Sequence, residues 1–174
     1  SPNEAVSGFS NPAVITIALL FILSSAVQKT GLLEYLVVNI NRLLKSSRSL
    51  GMAAYYFTIS VASALINNTA IVAIFMPVTI RLAHRYRLSP SKMLIPLSYA
   101  AILGGTLTLV GTSTNLLVNS IYASYEGVQP LSMFEFAKYG IIILVIGTIY
   151  LLLIAPRLIP SRTVTSSLTK SYHL

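Results

Sequence analysis

The chain has 174 residues, 55% apolar and only 9% charged, where an average soluble domain carries roughly 25% charged residues. So few polar side chains cannot clothe a globular surface, which excludes a disordered chain, a fibrous repeat, a coiled coil and an ordinary cytosolic enzyme. Basic residues outnumber acidic ones 12 to 4, but they cluster between apolar segments, as loops at a cytoplasmic membrane face do, and form no nucleic-acid-binding stripe.

The first apolar run, residues 12–28, contains no charge; as a helix it reaches about 25 Å, near the lower limit for a membrane span. Asn11 stands before it as a candidate cap, with Pro12 in the first turn. In residues 31–45, Leu32, Leu33, Leu36, Val37, Ile40, Leu43 and Leu44 recur at helical spacing beside Glu34, Asn41, Arg42 and Lys45. That pattern predicts an amphipathic helix lying in the interface.

The stretch from Gly51 to Arg81 is free of charge until its end and is interrupted at Asn67-Asn68-Thr69. One continuous helix would measure about 45 Å, too long for a hydrocarbon core of about 30 Å without steep tilt. Each half alone is too short for a comfortable span. Arg42, Lys45 and Arg48 precede the stretch, and Arg81, Arg85, Arg87 and Lys92 lie at its end or beyond. Positive charge at both ends places both on the cytoplasmic side. The reading is a re-entrant hairpin over 51–85 with Asn67-Asn68-Thr69 at its tip.

Residues 93–123 carry a second flaw, Gly104-Gly105-Thr106 followed by Gly111-Thr112-Ser113-Thr114-Asn115. These are poor helix interior and good unwound backbone. The expectation is a broken helix, Met93 to about Val110, a loop, then Asn115 to Ala123. Gly104-Gly105 reads equally as close helix packing. A plain span is expected over 136–155, and the polar tail 161–174 reads as the start of a linker. With no initiator methionine at its start, the chain is expected to be a piece of a longer polypeptide.

Backbone that gives up hydrogen bonds at membrane depth must be satisfied by protein or by a watery cavity, so both interruptions are candidate sites. The half-helix ending near Ile66 offers carbonyls and a negative dipole end to a cation. The half-helix beginning near Thr69 offers N–H groups and a positive end to an anion. Ser, Thr, Asn and carbonyl oxygens are hard ligands that suit Na⁺. Lys138 and Glu135 stand at the edge of one span, and no other Asp, Glu, Lys, Arg or His falls within a span, which argues against a proton relay. The plainer alternative is that Asn-Asn-Thr bonds to neighbouring helices. The chain has no cysteine, which excludes disulfides and thiolate metal sites.

With these residues in view, the sequence resembles the divalent anion/sodium symporters of the ion-transporter superfamily, a citrate-transporter-like domain, and within them the permease branch that carries TrkA-C domains. The likeness rests on SGFSNPAVITIALLFILS, SALINNTAIVAIFMPV and SYAAILGGTLTLVGTSTNLLVNS, in that order. It implies an all-α membrane protein. Residues 1–160 would form one repeat of an inverted-repeat secondary transporter, with a re-entrant helical hairpin and a broken transmembrane helix. The family's Ser-Asn-Thr hairpin tip is matched by Asn68 and Thr69, with Asn67 in place of serine. Its Gly-Thr-Pro-Pro-Asn motif is matched by Gly111, Thr112 and Asn115, with Ser113 and Thr114 in place of the prolines.

By that resemblance, Asn67, Asn68, Thr69, Ser113, Thr114 and Asn115 would bind substrate. Ser63, Asn67, Asn68, Gly111 and Thr112 would hold Na⁺, the coupling ion. The implied function is sodium-coupled transport of a small divalent anion, sulfate or a dicarboxylate. An arsenite-type exporter and a non-transporting scaffold are the alternatives. The implied partners are the anion, the lipid bilayer, a second repeat outside this chain and a second copy in a homodimer, with no nucleic acid. The implied location is the plasma membrane, as a multi-pass protein with no enzymatic activity.

Overall fold

A computed structural model describes residues 8–30 and 47–161. Among these residues the fold is entirely helical. A 3-10 turn at Gly8–Ser10 precedes α1 (Pro12–Lys29), α2 (Arg48–Ser63), α3 (Asn68–Arg85), α4 (Ser91–Gly105), α5 (Ser113–Tyr122), α6 (Ala137–Leu153) and α7 (Ala155–Leu158). The interfacial helix expected at 31–45 and nearly all of the polar tail lie outside the described residues.

Helix α4 is the hub, packing against α2, α3, α6 and α7. Its buried face, Met93, Leu97, Ala100 and Ala101, meets Tyr55, Tyr56 and Ile59 of α2 and Ile71, Phe75 and Val78 of α3. Small residues set the closeness of this packing. A Cβ on Gly104 would come within 2.0 Å of the Ser60 carbonyl oxygen, so the α2 and α4 backbones touch as only glycine allows. The buried Ser60 hydroxyl donates to the carbonyls of Ala100 at 2.8 Å and Tyr56 at 3.0 Å.

Helices α2 and α3 double back on one another. The Tyr55 and Thr79 hydroxyls share a 2.6 Å hydrogen bond, and the Tyr55 ring stands 6.0 Å from that of Phe75. Tyr55 and Thr79 are equidistant along the chain from Asn67, which is the signature of antiparallel arms about that residue. The first arm starts at Arg48, three residues before the expected Gly51, and ends at Ser63, three before Ile66. The Ser47 hydroxyl accepts from the Leu50 N–H, a serine cap that begins the helix early. The second arm starts at Asn68 and runs through Pro77 to Arg85. It closes with Arg87 at φ 53, where the Arg87 N–H donates to His84 and the Leu88 N–H to Ala83, a Schellman-type stop with arginine in the usual glycine place.

Two expected elements are corrected. The first half of the broken helix ends at Gly105, not Val110, and the second begins at Ser113, not Asn115. The span expected over 136–155 is interrupted at Ile154, because the Pro156 ring collides with the carbonyl four residues back and has no N–H to offer it. No helix among the described residues is long and apolar enough to cross a membrane. Helices α1 and α6 nevertheless present large apolar side chains outward, among them Leu19, Ile22 and Leu23, and Ile141, Ile142, Ile146 and Leu153.

Candidate functional site

The residues between helices form two breaks, 64–67 and 106–112, and the fold sets them side by side. Gly105, the last residue of α4, is the reason they can meet. A Cβ there would lie within 3 Å of the Asn68 side-chain amide and 3.2 Å from the Gly111 carbonyl oxygen. A Cβ on Gly111 would in turn lie 2.6 Å from the Gly105 carbonyl oxygen. On the other side, Gly140 lets α6 approach the second break, its would-be Cβ 2.4 Å from the Thr106 carbonyl oxygen.

Three side chains replace the hydrogen bonds that the breaks forfeit. Asn68 faces acceptors, so its amide nitrogen is assigned toward them. It donates to the carbonyls of Ala101 and Gly111 at 3.2 Å each and to the Ser63 hydroxyl at 2.6 Å. The buried Thr108 hydroxyl donates to the Ala64 carbonyl and accepts from the Gly111 N–H at 2.9 Å, joining one break to the other. Asn115 Nδ2 donates to the carbonyls of Gly105 at 3.1 Å and Thr108 at 2.9 Å. The Leu109 N–H finds the Met133 carbonyl at 2.8 Å. Buried backbone polar groups left unpaired would cost several kcal/mol in apolar surroundings.

Asn67 stands apart from this junction. Its Oδ1 accepts from the Thr69 N–H at 2.9 Å, capping α3. Asn67 and Ser113 line one crevice with Leu65, Val110 and Leu116, closed on the far side by Ile17, Leu20 and Phe21 of α1. The starts of α3 and α5 therefore face the same small space, a volume of about 20 Å³ walled mostly by apolar side chains. Thr112, the residue before α5, is extended and makes no side-chain capping bond. The first turns of α3 and α5 contain no acid, which leaves the positive ends of both helices unopposed by local charge.

The structure thus brings together Ser63, Asn68, Gly111 and the amide of Asn115 at the junction, and Asn67 with Ser113 at the crevice. Thr69 and Thr114 are exposed and Thr112 is half-buried. Asn115 turns its amide to the junction, so its nitrogen braces backbone. Thr108 was not singled out from sequence; the only signal is a threonine between two glycine-bearing flaws, and its partner Ala64 lies 44 residues away. The junction offers neutral hard oxygens, the Ser63 hydroxyl and the carbonyls of Ala64, Gly105 and Gly111. Among the described residues no three His, Cys, Asp or Glu gather as a metal site. That donor set fits Na⁺ and does not fit a transition metal.

Interrupted helices that meet at polar breaks, with two helix starts facing one crevice, are a feature of solute carriers. Residues 1–169 match the family model described as citrate transporter, and the chain belongs to that family. It is 41% identical over 93% of its length to an uncharacterized transporter of Synechocystis sp., of which it covers 26%. It is 36% identical over 86% of its length to an uncharacterized transporter of Escherichia coli, covering 24% of it. It is 34% identical over 92% of its length to the probable sodium/sulfate cotransporter 3 of Chlamydomonas reinhardtii, covering 18% of it. The chain thus spans about a quarter or less of the length of these relatives. No solved structure matches it.

Proposed function

We propose that the chain is one repeat of a membrane-embedded secondary transporter that carries a small divalent anion, sulfate in the first place, together with Na⁺. A second repeat outside this chain completes the site, and the whole protein works as a homodimer in the plasma membrane. In this reading α2 and α3 form the re-entrant hairpin, with both ends at the cytoplasmic face and the Asn67 tip at depth. Ser63, Gly111 and Thr112 contribute to the sodium site, with Asn68 holding Ser63 and Gly111 in place through its amide nitrogen. The α3 and α5 starts, with Asn67, Thr69, Ser113 and Thr114, face the anion.

One observation carries the reading: Asn67 and Ser113, at the starts of two helices from separate breaks, line one crevice, beside a junction built of neutral oxygens. Helix starts favour an anion and the oxygens favour a hard cation, so the pair suits their joint binding. The relatives named as sodium/sulfate cotransporters support the choice of ions.

The test is uptake of radiolabelled sulfate by cells making the full-length protein. Replacing Na⁺ by choline abolishes uptake in this account, and Asn68→Ala lowers it at least tenfold while membrane levels stay unchanged. Uptake that ignores the replacement of Na⁺ contradicts the coupling, and normal uptake by Asn68→Ala contradicts the site.

A further inference from the structure

A second cleft lies at the opposite end of the hairpin from its tip. It has a volume of about 350 Å³ and is walled by Met52 and Tyr56 of α2, Met93 of α4, and Leu151 and Leu152 of α6. Ser49 and Lys92 also line it, and among the described residues Lys92 is the one charged side chain there. Arg87 and Arg157, next along the chain to the lining residues Leu88 and Pro156, are both exposed. The Ser91 hydroxyl donates to the Pro160 carbonyl at 2.8 Å, tying the segment after Arg157 to the start of α4 beside Lys92.

Nothing acidic among the described residues offsets this charge locally. The two acids there are Glu126 and Glu135, and Glu135 precedes the far end of α6, roughly 25 Å of helix away from Leu151 and Leu152. Glu135 is also hydrogen-bonded by Lys138, which holds its carboxyl below the usual range. An apolar cleft with a cationic edge, inside a field of unpaired sign, complements a molecule with an anionic head and an apolar tail.

We infer that this cleft binds an anionic phospholipid from the cytoplasmic leaflet, an acyl chain lying along Met52, Met93 and Leu151 and the phosphate held by Lys92. The site is distinct from the Asn67 crevice and takes no part in transport chemistry. It rests on the membrane reading proposed above. A bound lipid would pin the base of the hairpin to α6 while leaving the tip free.

Native mass spectrometry of the full-length protein in mild detergent tests this, with phosphatidylglycerol and phosphatidylcholine added in turn. Retention of phosphatidylglycerol is expected to exceed that of phosphatidylcholine by about fivefold, the preference that one cation near an anionic headgroup supplies. Lys92→Gln is expected to bring the two to parity. Ser49→Trp, which places a ring in the cleft from an exposed position, is expected to lower retention of both lipids. Equal retention by the unaltered protein overturns the proposal, as does a preference unchanged in Lys92→Gln; inorganic phosphate competing as well as the lipid would replace it with a simple anion site. Extraction of the full-length protein from membranes by alkaline carbonate would overturn the membrane reading and this site together. Failure of the lipid preference in a protein that resists carbonate would overturn the site alone.

Discussion

The two helix breaks solve one problem in different ways. The first, 64–67, is short and carries its own cap: Asn67 Oδ1 accepts from the Thr69 N–H and α3 begins at once. The second, 106–112, is longer, and Thr112 provides no side-chain cap for α5. It is held from elsewhere, by Thr108 reaching Ala64, by Asn68 reaching Gly111, and by Asn115 reaching back to Gly105 and Thr108. A break stabilised locally forms by itself; a break stabilised by distant partners forms only once the helices around it have packed. The second is the one whose shape follows the packing of the helices around it.

The largest effect is expected where both breaks depend on one contact. Gly104→Ala places a methyl group against the Ser60 backbone, which cannot yield as a side chain could, and separates α2 from α4. Overpacking of that kind costs about 3 kcal/mol, read as a fall in the thermal midpoint of the purified full-length protein. Next comes Thr108→Val, which keeps the shape and removes the hydroxyl between the breaks. It leaves the Ala64 carbonyl and the Gly111 N–H without that partner, at about 2 kcal/mol, while Thr108→Ser retains most of the stability. The smallest effect sharpens the contrast most. Asn67→Ala loses a cap, about 1 kcal/mol, whereas Thr112→Val loses no capping bond and stays within about 0.5 kcal/mol. Equal losses at these two positions would erase the distinction between the breaks.

The position of both breaks was legible in the sequence because each is polar or glycine-rich inside an otherwise charge-free run. The doubling back at Asn67 was legible too, from basic clusters on either side of a stretch too long for one crossing. The early end of α4 was not. Thr106 to Val110 carries no charge and no proline, and its leucines pass for helix. What ends the helix is glycine packing against Asn68 and Ser60, together with a Leu109 bond to Met133, all partners distant in sequence. The division of labour between neighbouring asparagines was equally hidden. Asn67 and Asn68 read as one motif, yet one caps a helix and the other bridges to α4 and Gly111. Side-chain direction at a helix start depends on the backbone of the break, which residue types alone do not specify. The kink at Ile154 is written in Pro156, but the uniform apolar run around it reads as one continuous helix.

The central claim is that the hairpin tip and the start of α5 share one water-accessible, ion-binding crevice. A single cysteine at Asn67, in a cysteine-free full-length protein, tests it most directly by its rate of reaction with a membrane-impermeant maleimide. The account predicts labelling that slows several-fold when Na⁺ and sulfate are present together and little with either alone. A cysteine that does not react, or reacts at the same rate with and without both ions, would contradict it.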